Sequence, residues 1–280
     1  MDQKNMNTQQ VVLITGASSG IGKEAARLLA GKGYKVYGAA RNVEKMEELI
    51  PLGITVLPLD VTSRSSIENC VDRILTTEGR IDILVNNAGY GTFGPVEAVP
   101  LEEGRRQFEV NLFGMAALIQ KILPVMRKQK SGRIINVSSM AAYFSEPNGG
   151  WYHATKAAVE RYSDALRMEV KRFNIQVVLI QPGMINTEWQ VIAGQYLLKY
   201  AANTVYEPSA RHQAEMFEMG YKRASKPVVV ANAIVRASTS RRPCLRYKIG
   251  GMAKPILLLR KLMPDRWFDA ITAYVMNGKN

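Results

Sequence analysis

The chain has 280 residues, of which 47% are hydrophobic and 22% are charged. This composition is typical of a soluble globular protein, and no unbroken apolar run approaches the roughly 20 residues that a membrane-spanning helix needs. The net charge of +13 is concentrated near the end, where residues 222–280 hold 13 basic and 2 acidic side chains. Such a basic end either binds an anionic surface or is an ordinary solvated helix surface.

The amino terminus, the cysteines and the histidines narrow the class of protein further. The first ten residues, MDQKNMNTQQ, are polar, which predicts a loose tail rather than a secretion signal. Cys70 and Cys244 lie far apart, and His153 and His212 have no metal-ligand spacing. We therefore expect a cytoplasmic protein with no disulfide framework and no metal site.

Short β-branched runs alternate with longer amphipathic stretches from residue 11 to about residue 182. This alternation is typical of βαβ units, so it predicts an α/β fold with a Rossmann-type, doubly wound parallel sheet in a single domain over residues 1–280. The predicted strands are 11–15, 35–39, 55–59, 81–85, 133–137 and 175–180. The predicted helices begin near Ile21, Val43, Ser65, Leu101 and Trp151.

Beyond Thr187 the alternation stops. We predict an irregular segment that acts as a substrate lid over residues 188–225, because long insertions after a strand commonly cover a site. A helix over 228–238 and a last strand over 245–249 complete the sheet. Residues 250–280 are predicted to form a basic extension of short amphipathic helices.

The sequence from Thr15 to Gly22, TGASSGIG, stands between the first predicted strand and the first predicted helix. Glycines in this position are typical of a dinucleotide-binding loop, in which they permit a tight turn, a close approach to the pyrophosphate and close helix packing. The phosphates then lie at a helix N-terminus. The residues of this loop expected to bind the cofactor are Gly16, Ser18, Ser19, Gly20, Ile21 and Gly22.

The end of the second strand, Gly38-Ala39-Ala40-Arg41, indicates which cofactor is used. Enzymes that prefer NAD generally carry Asp or Glu here to bind the ribose hydroxyls, and this chain has neither. The guanidinium of Arg41 matches a phosphate instead, and Ser18 or Ser19 offers a hydroxyl to the same group. We therefore predict NADP(H) in preference to NAD(H); the alternative is that Arg41 only begins a solvated loop.

Tyr152 and Lys156 are four residues apart on a predicted helix, so both project from one face. A phenol titrates near pH 10 and needs nearby positive charge to exchange protons at neutral pH, which Lys156 beside an oxidised nicotinamide supplies. Such a pair also occurs by chance, so its value depends on other motifs. These are Asn86-Asn87-Ala88-Gly89, Asn111, Ser138-Ser139 and Pro182-Gly183.

With these motifs the sequence closely resembles the short-chain dehydrogenase/reductase family from residue 11 to residue 187. The resemblance implies that Tyr152 is the catalytic acid/base and that Ser139, rather than Ser138, hydrogen-bonds the substrate oxygen. It also implies that Asn111 bends its helix and holds a water that links Lys156 to solvent. The implied reaction moves a hydride between NADP(H) and a carbonyl or alcohol carbon.

The resemblance also implies the remaining cofactor contacts and an oligomeric state. Lys156 is expected to hydrogen-bond the nicotinamide ribose, and Tyr152 is expected to contact the cofactor beside it. The other implied cofactor residues are Asp60 and Val61 at the adenine, Asn87, Ala88 and Gly89 behind the cofactor, and Pro182, Gly183 and Thr187 at the carboxamide. Asp60 as a loop cap and Thr187 as a helix cap remain alternatives. A homodimer or homotetramer is implied through helices over 101–127 and 151–172.

Large side chains in the lid point to an apolar substrate such as a steroid, retinoid or lipid-like molecule. They include Trp189, Tyr196, Met216 and Phe217. The branch that looks nearest is that of the hydroxysteroid and retinol dehydrogenases. The alternative is that these side chains only pack the lid on the sheet.

Two other functions compete with the enzyme. A non-catalytic NADP(H)-sensing regulator or membrane-associated binding protein of the same fold is disfavoured by the intact set of Asn111, Ser139, Tyr152 and Lys156. A nucleic-acid binder is disfavoured because no aromatic and basic module is visible. The basic end mixes cations with Leu257, Leu258, Leu262, Trp267 and Phe268, so it predicts either peripheral membrane contact or, through Leu257 and Leu258, cover for the protein's own core. Pro264 counts against the membrane contact, because it breaks the stretch before a long amphipathic face forms.

Overall fold

The computed structural model describes residues 9–278, except for the side chains of 221–223. The polar tail predicted at the amino terminus lies almost entirely outside this range. One sheet of seven parallel strands forms the centre, in the order β3-β2-β1-β4-β5-β6-β7. The strands are β1 Val11–Thr15, β2 Lys35–Ala40, β3 Thr55–Pro58, β4 Ile83–Asn86, β5 Gly132–Val137, β6 Ile175–Pro182 and β7 Arg246–Ile249.

Helices cover both faces of the sheet, which is why the strands are almost continuously apolar. One face packs on α1 and α8 and the other on α2, α4 and α5. The helices are α1 Gly20–Ala30, α2 Arg64–Glu78, α3 Leu101–Phe108, α4 Gly114–Gln129, α5 Gly150–Val170, α6 Glu188–Ala201, α7 Glu207–Arg223, α8 Pro227–Thr239, α9 Ala253–Leu262 and α10 Asp265–Asn277. The predicted fold class, a doubly wound single domain with a helical extension, is confirmed.

The strand order reverses between β1 and β4, because β2 and β3 lie on one side of β1 and the later strands lie on the other. In sheets of this kind ligands bind beyond the carboxyl ends of the strands at such a reversal. Thr15 ends β1 and Asn86 ends β4 at this crevice. The topology therefore brings the glycine loop and the Asn86–Gly89 segment together.

Two sequence predictions about helices are wrong. The helix expected near Val43 is a 3₁₀ helix, Glu44–Leu52, which contains Pro51, a residue without the amide hydrogen that an α-helix requires. The lid is not irregular but consists of helices α6 and α7. In α6 apolar residues occupy the exposed face, as Val191 and Leu198 do, as well as the buried one, so no helical stripe is visible in the sequence.

The continuous helical stretch from Leu101 to Gln129 is the one segment within residues 9–278 whose length and composition would allow it to cross a membrane. It comprises α3, a π-helical turn and α4. Leu118, Ile119 and Ile122 of α4 are fully buried in the core against the sheet. The core accounts for part of the apolar character of this stretch, because 33% of its most apolar 18-residue window is buried.

Candidate active site

The end of β5 and the start of α5 bring together three of the four expected catalytic side chains. Tyr152 and Lys156 lie one turn apart on α5, and both are buried. The Lys156 Nζ lies 5.9 Å from the centre of the Tyr152 ring and donates a hydrogen bond to the carbonyl oxygen of Val137 at 3.1 Å. Ser139 follows two residues beyond Val137, which places it at the same edge of the sheet.

The two adjacent serines have different surroundings. The Ser139 hydroxyl accepts a hydrogen bond from the Ala141 amide at 3.1 Å. Its interaction with the Tyr152 hydroxyl lowers the pKa of that phenol. The Ser138 hydroxyl is buried, and none of the described residues offers it a hydrogen-bond partner. Ser139, rather than Ser138, therefore interacts with the phenol.

Asn111 lies in a π-helical turn, Glu109–Phe113, between α3 and α4. Its amide pairs with the backbone of Tyr90, accepting from the nitrogen at 3.0 Å and donating to the oxygen at 2.9 Å. It also donates to the Thr155 hydroxyl at 3.2 Å, so it contacts the residue that precedes Lys156. A widened turn of this kind is common at functional sites and is one of the usual causes of a bend in a helix. The water between Asn111 and Lys156 stays a prediction.

Burial dominates the protonation of the catalytic pair. It raises the pKa of Tyr152 to about 12, although the hydrogen bond with Ser139 opposes this. It also lowers the pKa of Lys156 to about 8, against the opposing charge of Glu160. Proton transfer at neutral pH therefore requires further positive charge beside the phenol, because such charge favours the phenolate.

Replacing Lys156 by methionine is expected to increase stability while it harms function. The folded-state pKa of about 8 lies below the ordinary 10.5, so the buried ammonium opposes folding below pH 8. The variant should gain on the order of 1–3 kcal/mol in unfolding free energy there. The gain should vanish as the pH rises from 8 towards 10.5, whereas cofactor affinity and turnover should both fall. Denaturant titrations at several pH values measure this; a stability gain that persists at high pH would contradict it.

The glycine loop is built so closely against its neighbours that side chains are excluded. Gly16 has a φ of +68°, and a Cβ there would lie 2.9 Å from the Asn87 Nδ2. A Cβ on Gly22 would lie 2.3 Å from the Gly16 carbonyl oxygen. Ile21 packs against the core from the first turn of α1. Neither Gly16 nor Gly22 can therefore carry a side chain unless the Asn87 side chain or the Gly16 carbonyl is displaced.

A cleft opens at the N-terminus of α1. It is lined by Ser18, Ser19, Gly20, Lys23, Lys45, Glu48, Asn186, Thr187, Glu188 and Pro227. Thr187 occupies the N-cap position of α6 without a side-chain capping hydrogen bond, and its methyl group lies 3.1 Å from the position of a Cβ on Gly20. Free backbone N–H groups at a helix N-terminus, with lysines beside them, bind phosphate well.

Thr15 braces the loop, a role that the sequence analysis did not assign to it. Its hydroxyl accepts hydrogen bonds from the amides of Asn87 and Ala88, each at 3.0 Å. The Asn87 side chain in turn donates to the carbonyl oxygens of Thr15 and Gly16. The segment after β4 is thereby fixed against the loop after β1. The sequence feature that indicates this bracing role is a polar residue at the end of a buried strand, directly before the glycines.

The nicotinamide end of the expected cofactor site adjoins the catalytic group. A Cβ on Gly89 would lie 3.0 Å from the Asn111 Oδ1 and 3.7 Å from the Lys156 Nζ. Pro182 ends β6, and the Gly183 amide donates to the carbonyl oxygen of Ile249 at 2.9 Å. The glycine-lined cradle, the helix N-terminus and Lys156 fit a nicotinamide dinucleotide. Bound there, that group supplies or accepts a hydride.

The adenine end is more open. Arg41 is exposed directly after β2. Asp60 follows β3, and its carboxylate accepts from the Thr62 amide at 2.9 Å and the Thr62 hydroxyl at 2.7 Å. The Thr62 amide lowers the pKa of Asp60, with smaller contributions from Arg41 and Arg106. Asp60 thus also fills the loop-capping role left open by the sequence, while Val61 is half-buried against the core.

Aromatic rings form a wall against the catalytic tyrosine. The Trp189 ring lies 4.8 Å from the Tyr152 ring, and Phe93, which the sequence analysis missed, lies 5.6 Å from Tyr152. The Phe217 ring contacts Phe93 edge-on at 5.1 Å. Of the four expected substrate residues, Trp189 therefore contacts Tyr152 directly, and Phe217 is linked to Tyr152 through Phe93.

The other two expected substrate residues lie farther from Tyr152. Tyr196 stacks on Tyr200 with ring centres 5.9 Å apart and lies 6.3 Å from Tyr90. Tyr90 is held by its hydroxyl, which donates to Glu103 at 2.9 Å. Met216 is half-buried on α7, one residue before Phe217. Tyr196 thus belongs to a second aromatic group at the rim.

A doubly wound sheet with a glycine cradle and a buried Ser139-Tyr152-Lys156 group defines an oxidoreductase of the nicotinamide-binding class. A family model described as short chain dehydrogenase matches residues 10–195. The chain belongs to the short-chain dehydrogenase/reductase family, as the sequence motifs predicted.

Relatives of known name are similar over almost the whole chain. A 3-ketodihydrosphingosine reductase of Bacteroides thetaiotaomicron is 35% identical over 91% of this chain and 94% of its own length. An NADPH-dependent 3-dehydrocapnine reductase of Ornithobacterium rhinotracheale is 34% identical over 92% and 94%. The crystal structure of a short-chain dehydrogenase from Streptomyces avermitilis has a TM-score of 0.78 and 32% identity, covering 90% of this chain and 92% of that one.

Proposed function

We propose that the protein is an NADP(H)-dependent reductase of an apolar, lipid-like ketone or aldehyde. The observation that carries this proposal is the aromatic wall in which Phe93 and Trp189 lie against the ring of Tyr152 and Phe217 packs on Phe93. A carbonyl bound there would have its oxygen within reach of the Tyr152 and Ser139 hydroxyls and its apolar part on the wall.

The chain's own residues would manage the oxygen and the proton. As the carbonyl carbon gains a hydride, Ser139 donates a hydrogen bond to the oxygen and Tyr152 transfers its proton to it. Lys156 would then help to return a proton to the Tyr152 phenolate. Asn111 would hold the water that links Lys156 to solvent. In the direction of alcohol oxidation the same groups act in reverse.

The names of two relatives support a lipid-like ketone as substrate. One relative is a 3-ketodihydrosphingosine reductase and another a 3-dehydrocapnine reductase. The second is described as NADPH-dependent, in agreement with the cofactor preference proposed here. Placement in the hydroxysteroid and retinol dehydrogenase branch stays a prediction, because these relatives carry other names.

Consumption of NADPH across a panel of substrates tests the proposal. The panel should contain short aldehydes and ketones, long-chain 3-keto amines, steroids and retinoids. Rates should rise with the apolar length of the carbonyl compound. Binding of NADPH without turnover of any compound would favour the non-catalytic sensor instead.

Replacing Arg41 by alanine is expected to weaken NADPH binding by about tenfold to a hundredfold and to leave NADH almost unchanged. Without the guanidinium, the variant would lose charge-assisted hydrogen bonds to the 2′-phosphate, a group that only NADPH carries. Fluorescence titration with both cofactors measures the effect, and Arg236→Ala on α8 is the matched control. If the wild-type protein binds NADH more tightly, the interpretation of the second strand is wrong.

We also propose a homodimer or homotetramer formed through α4 and α5. Phe113 lies directly before α4 and Met168 lies on α5. Both are large apolar side chains, with exposed fractions of 53% and 71% respectively. Sedimentation should give a mass of at least two chains, and Phe113→Asp with Met168→Asp should lower it. A wild-type monomer at micromolar concentration would remove this proposal and leave the chemistry untouched.

A cytoplasmic location, with peripheral membrane contact through residues 250–280, completes the proposal. The free thiols of Cys70 and Cys244 are compatible with a reducing compartment.

A further inference from the structure

Helices α9 and α10 each expose large apolar side chains to solvent. These side chains, named here the α9–α10 face, are Leu258, Leu262, Trp267, Ile271 and Tyr274, with exposed fractions between 46% and 72%. Within each helix they are spaced by three or four residues, so they share one side of that helix. Exposed apolar side chains grouped in this way mark an interaction site.

Cations surround the α9–α10 face. Lys254, Lys261 and Arg266 are exposed on the same two helices. The carboxylate of Asp265, one of the two acidic residues of this segment, is paired with Arg260 at 2.6 Å, so the charges of these two residues balance each other. Apolar side chains bordered by basic ones are typical of helices that lie in the interface of an anionic membrane.

The face is held firmly by the rest of the molecule. Leu257 and Phe268 turn inward and are buried, and the Phe268 ring lies 5.7 Å from the Phe144 ring. Phe144 stands in the segment between Ser139 and Tyr152. On the lid side, His212 of α7 lies 3.2 Å from the carbonyl oxygen of Val275. The two helices therefore connect the exposed face to both the lid and the catalytic segment.

The inward side chains settle the alternative that the tail merely covers the core. Leu257 and Phe268 do cover it, yet they leave the opposite sides of the same helices uncovered. A lipid bilayer is a better binding partner for the uncovered sides than a second copy of this chain. Two copies meeting through the same face would bring Lys254, Lys261 and Arg266 of both together, and like charges oppose such an interface.

We propose that the α9–α10 face docks on an anionic lipid surface and holds the lid and catalytic segment next to it. The inference rests on the proposed function only in that a lipid-like carbonyl compound would be drawn from this surface. Trp267 and Leu262 enter the boundary of the acyl chains, and the three cations face the headgroups.

Vesicle co-sedimentation of the full chain tests the proposal. The probes are vesicles of phosphatidylcholine alone and of phosphatidylcholine mixed with phosphatidylserine, at low and moderate salt. Binding should require phosphatidylserine and weaken with salt, because headgroup attraction is screened. Leu262→Glu with Trp267→Glu should lower the partition coefficient about tenfold or more, since both side chains leave the lipid. Replacing Lys254, Lys261 and Arg266 by Gln should lower it about fivefold per cation.

A matched control introduces the same two charges elsewhere. Ile50 and Leu52 are also exposed, at 52% and 47%, and lie at the opposite edge of the sheet. Ile50→Glu with Leu52→Glu should keep full vesicle binding. All variants should reduce a short, water-soluble carbonyl substrate at the wild-type rate, because none of these residues contacts the catalytic group.

The outcomes separate docking from function. Turnover of the soluble substrate without binding to anionic vesicles overturns the docking and leaves the proposed function standing. Vesicle binding that the α9–α10 substitutions abolish supports the docking even if no carbonyl compound is reduced. Equal loss in the Ile50 and Leu52 control overturns it, as does a wild-type dimer that only the Leu262 and Trp267 substitutions dissociate.

Discussion

Replacing Tyr152 by phenylalanine is expected to lower turnover by roughly 10² to 10⁴ while NADPH binding stays close to wild type. Proton transfer by a positioned side chain contributes about this much to a rate, and the substitution removes only the hydroxyl. The ring packs between Phe93 and Trp189, and phenylalanine keeps these contacts. Steady-state rates and cofactor titration measure the two quantities separately.

Tyr162→Phe provides the control for the loss of a hydroxyl. Tyr162 lies on the same helix and is half-buried against the core, away from the catalytic group. This variant should keep its turnover. Comparable losses in both variants, or retained turnover in Tyr152→Phe, would show that Tyr152 is not the acid/base.

Replacing Gly22 by alanine is expected to lower kcat/KM by about a hundredfold and the unfolding free energy by about 1–3 kcal/mol. The new methyl group would lie 2.3 Å from the Gly16 carbonyl oxygen and 2.5 Å from the Asn87 Nδ2. Neither atom can move freely, because Asn87 is hydrogen-bonded to Thr15 and Gly16. The phosphate loop must therefore shift as a whole.

Gly194→Ala is the matched control for this change. Gly194 lies within α6, and a Cβ there would meet no described atom within 4 Å. Alanine in an open helical position should leave stability equal or slightly higher. Thermal unfolding and cofactor titration of both variants check the prediction, and an unimpaired Gly22→Ala protein would contradict it.

The sheet could be predicted from the sequence because each strand is a short β-branched run between turn signals. The six predicted parallel strands and the last strand at 245–249 all exist, with ends displaced by no more than two residues. The lid could not be predicted as two helices, since α6 carries apolar residues on both faces. Pro51 is the feature of the sequence that indicates a 3₁₀ helix instead of an α-helix after Val43, because proline lacks the amide hydrogen.

The catalytic group was predicted from local motifs, which the fold brings to one edge of the sheet. The contacts made by Phe93 could not be predicted, because it meets Phe217 from a distant part of the chain and no local pattern joins them. The contact between Phe144 and Phe268 has the same origin. Motifs identify the chemistry, whereas long-range packing decides which rings surround it.

The π-helical turn at Glu109–Phe113 decides where along this stretch a change of length can be absorbed. Such a turn holds one residue more than an α-helical turn, and its wider path takes up the extra residue with little change in the rotation of the helices on either side. Deleting one residue from the α-helical parts between Gly104 and Leu118, by contrast, would rotate α3 against α4 by about 100°. Either Gly104 of α3 would leave Trp151, or Leu118 of α4 would leave the core. A one-residue deletion that converts the π-helical turn into an α-helical one would leave both of these packings in register and displace only the local backbone that positions Asn111.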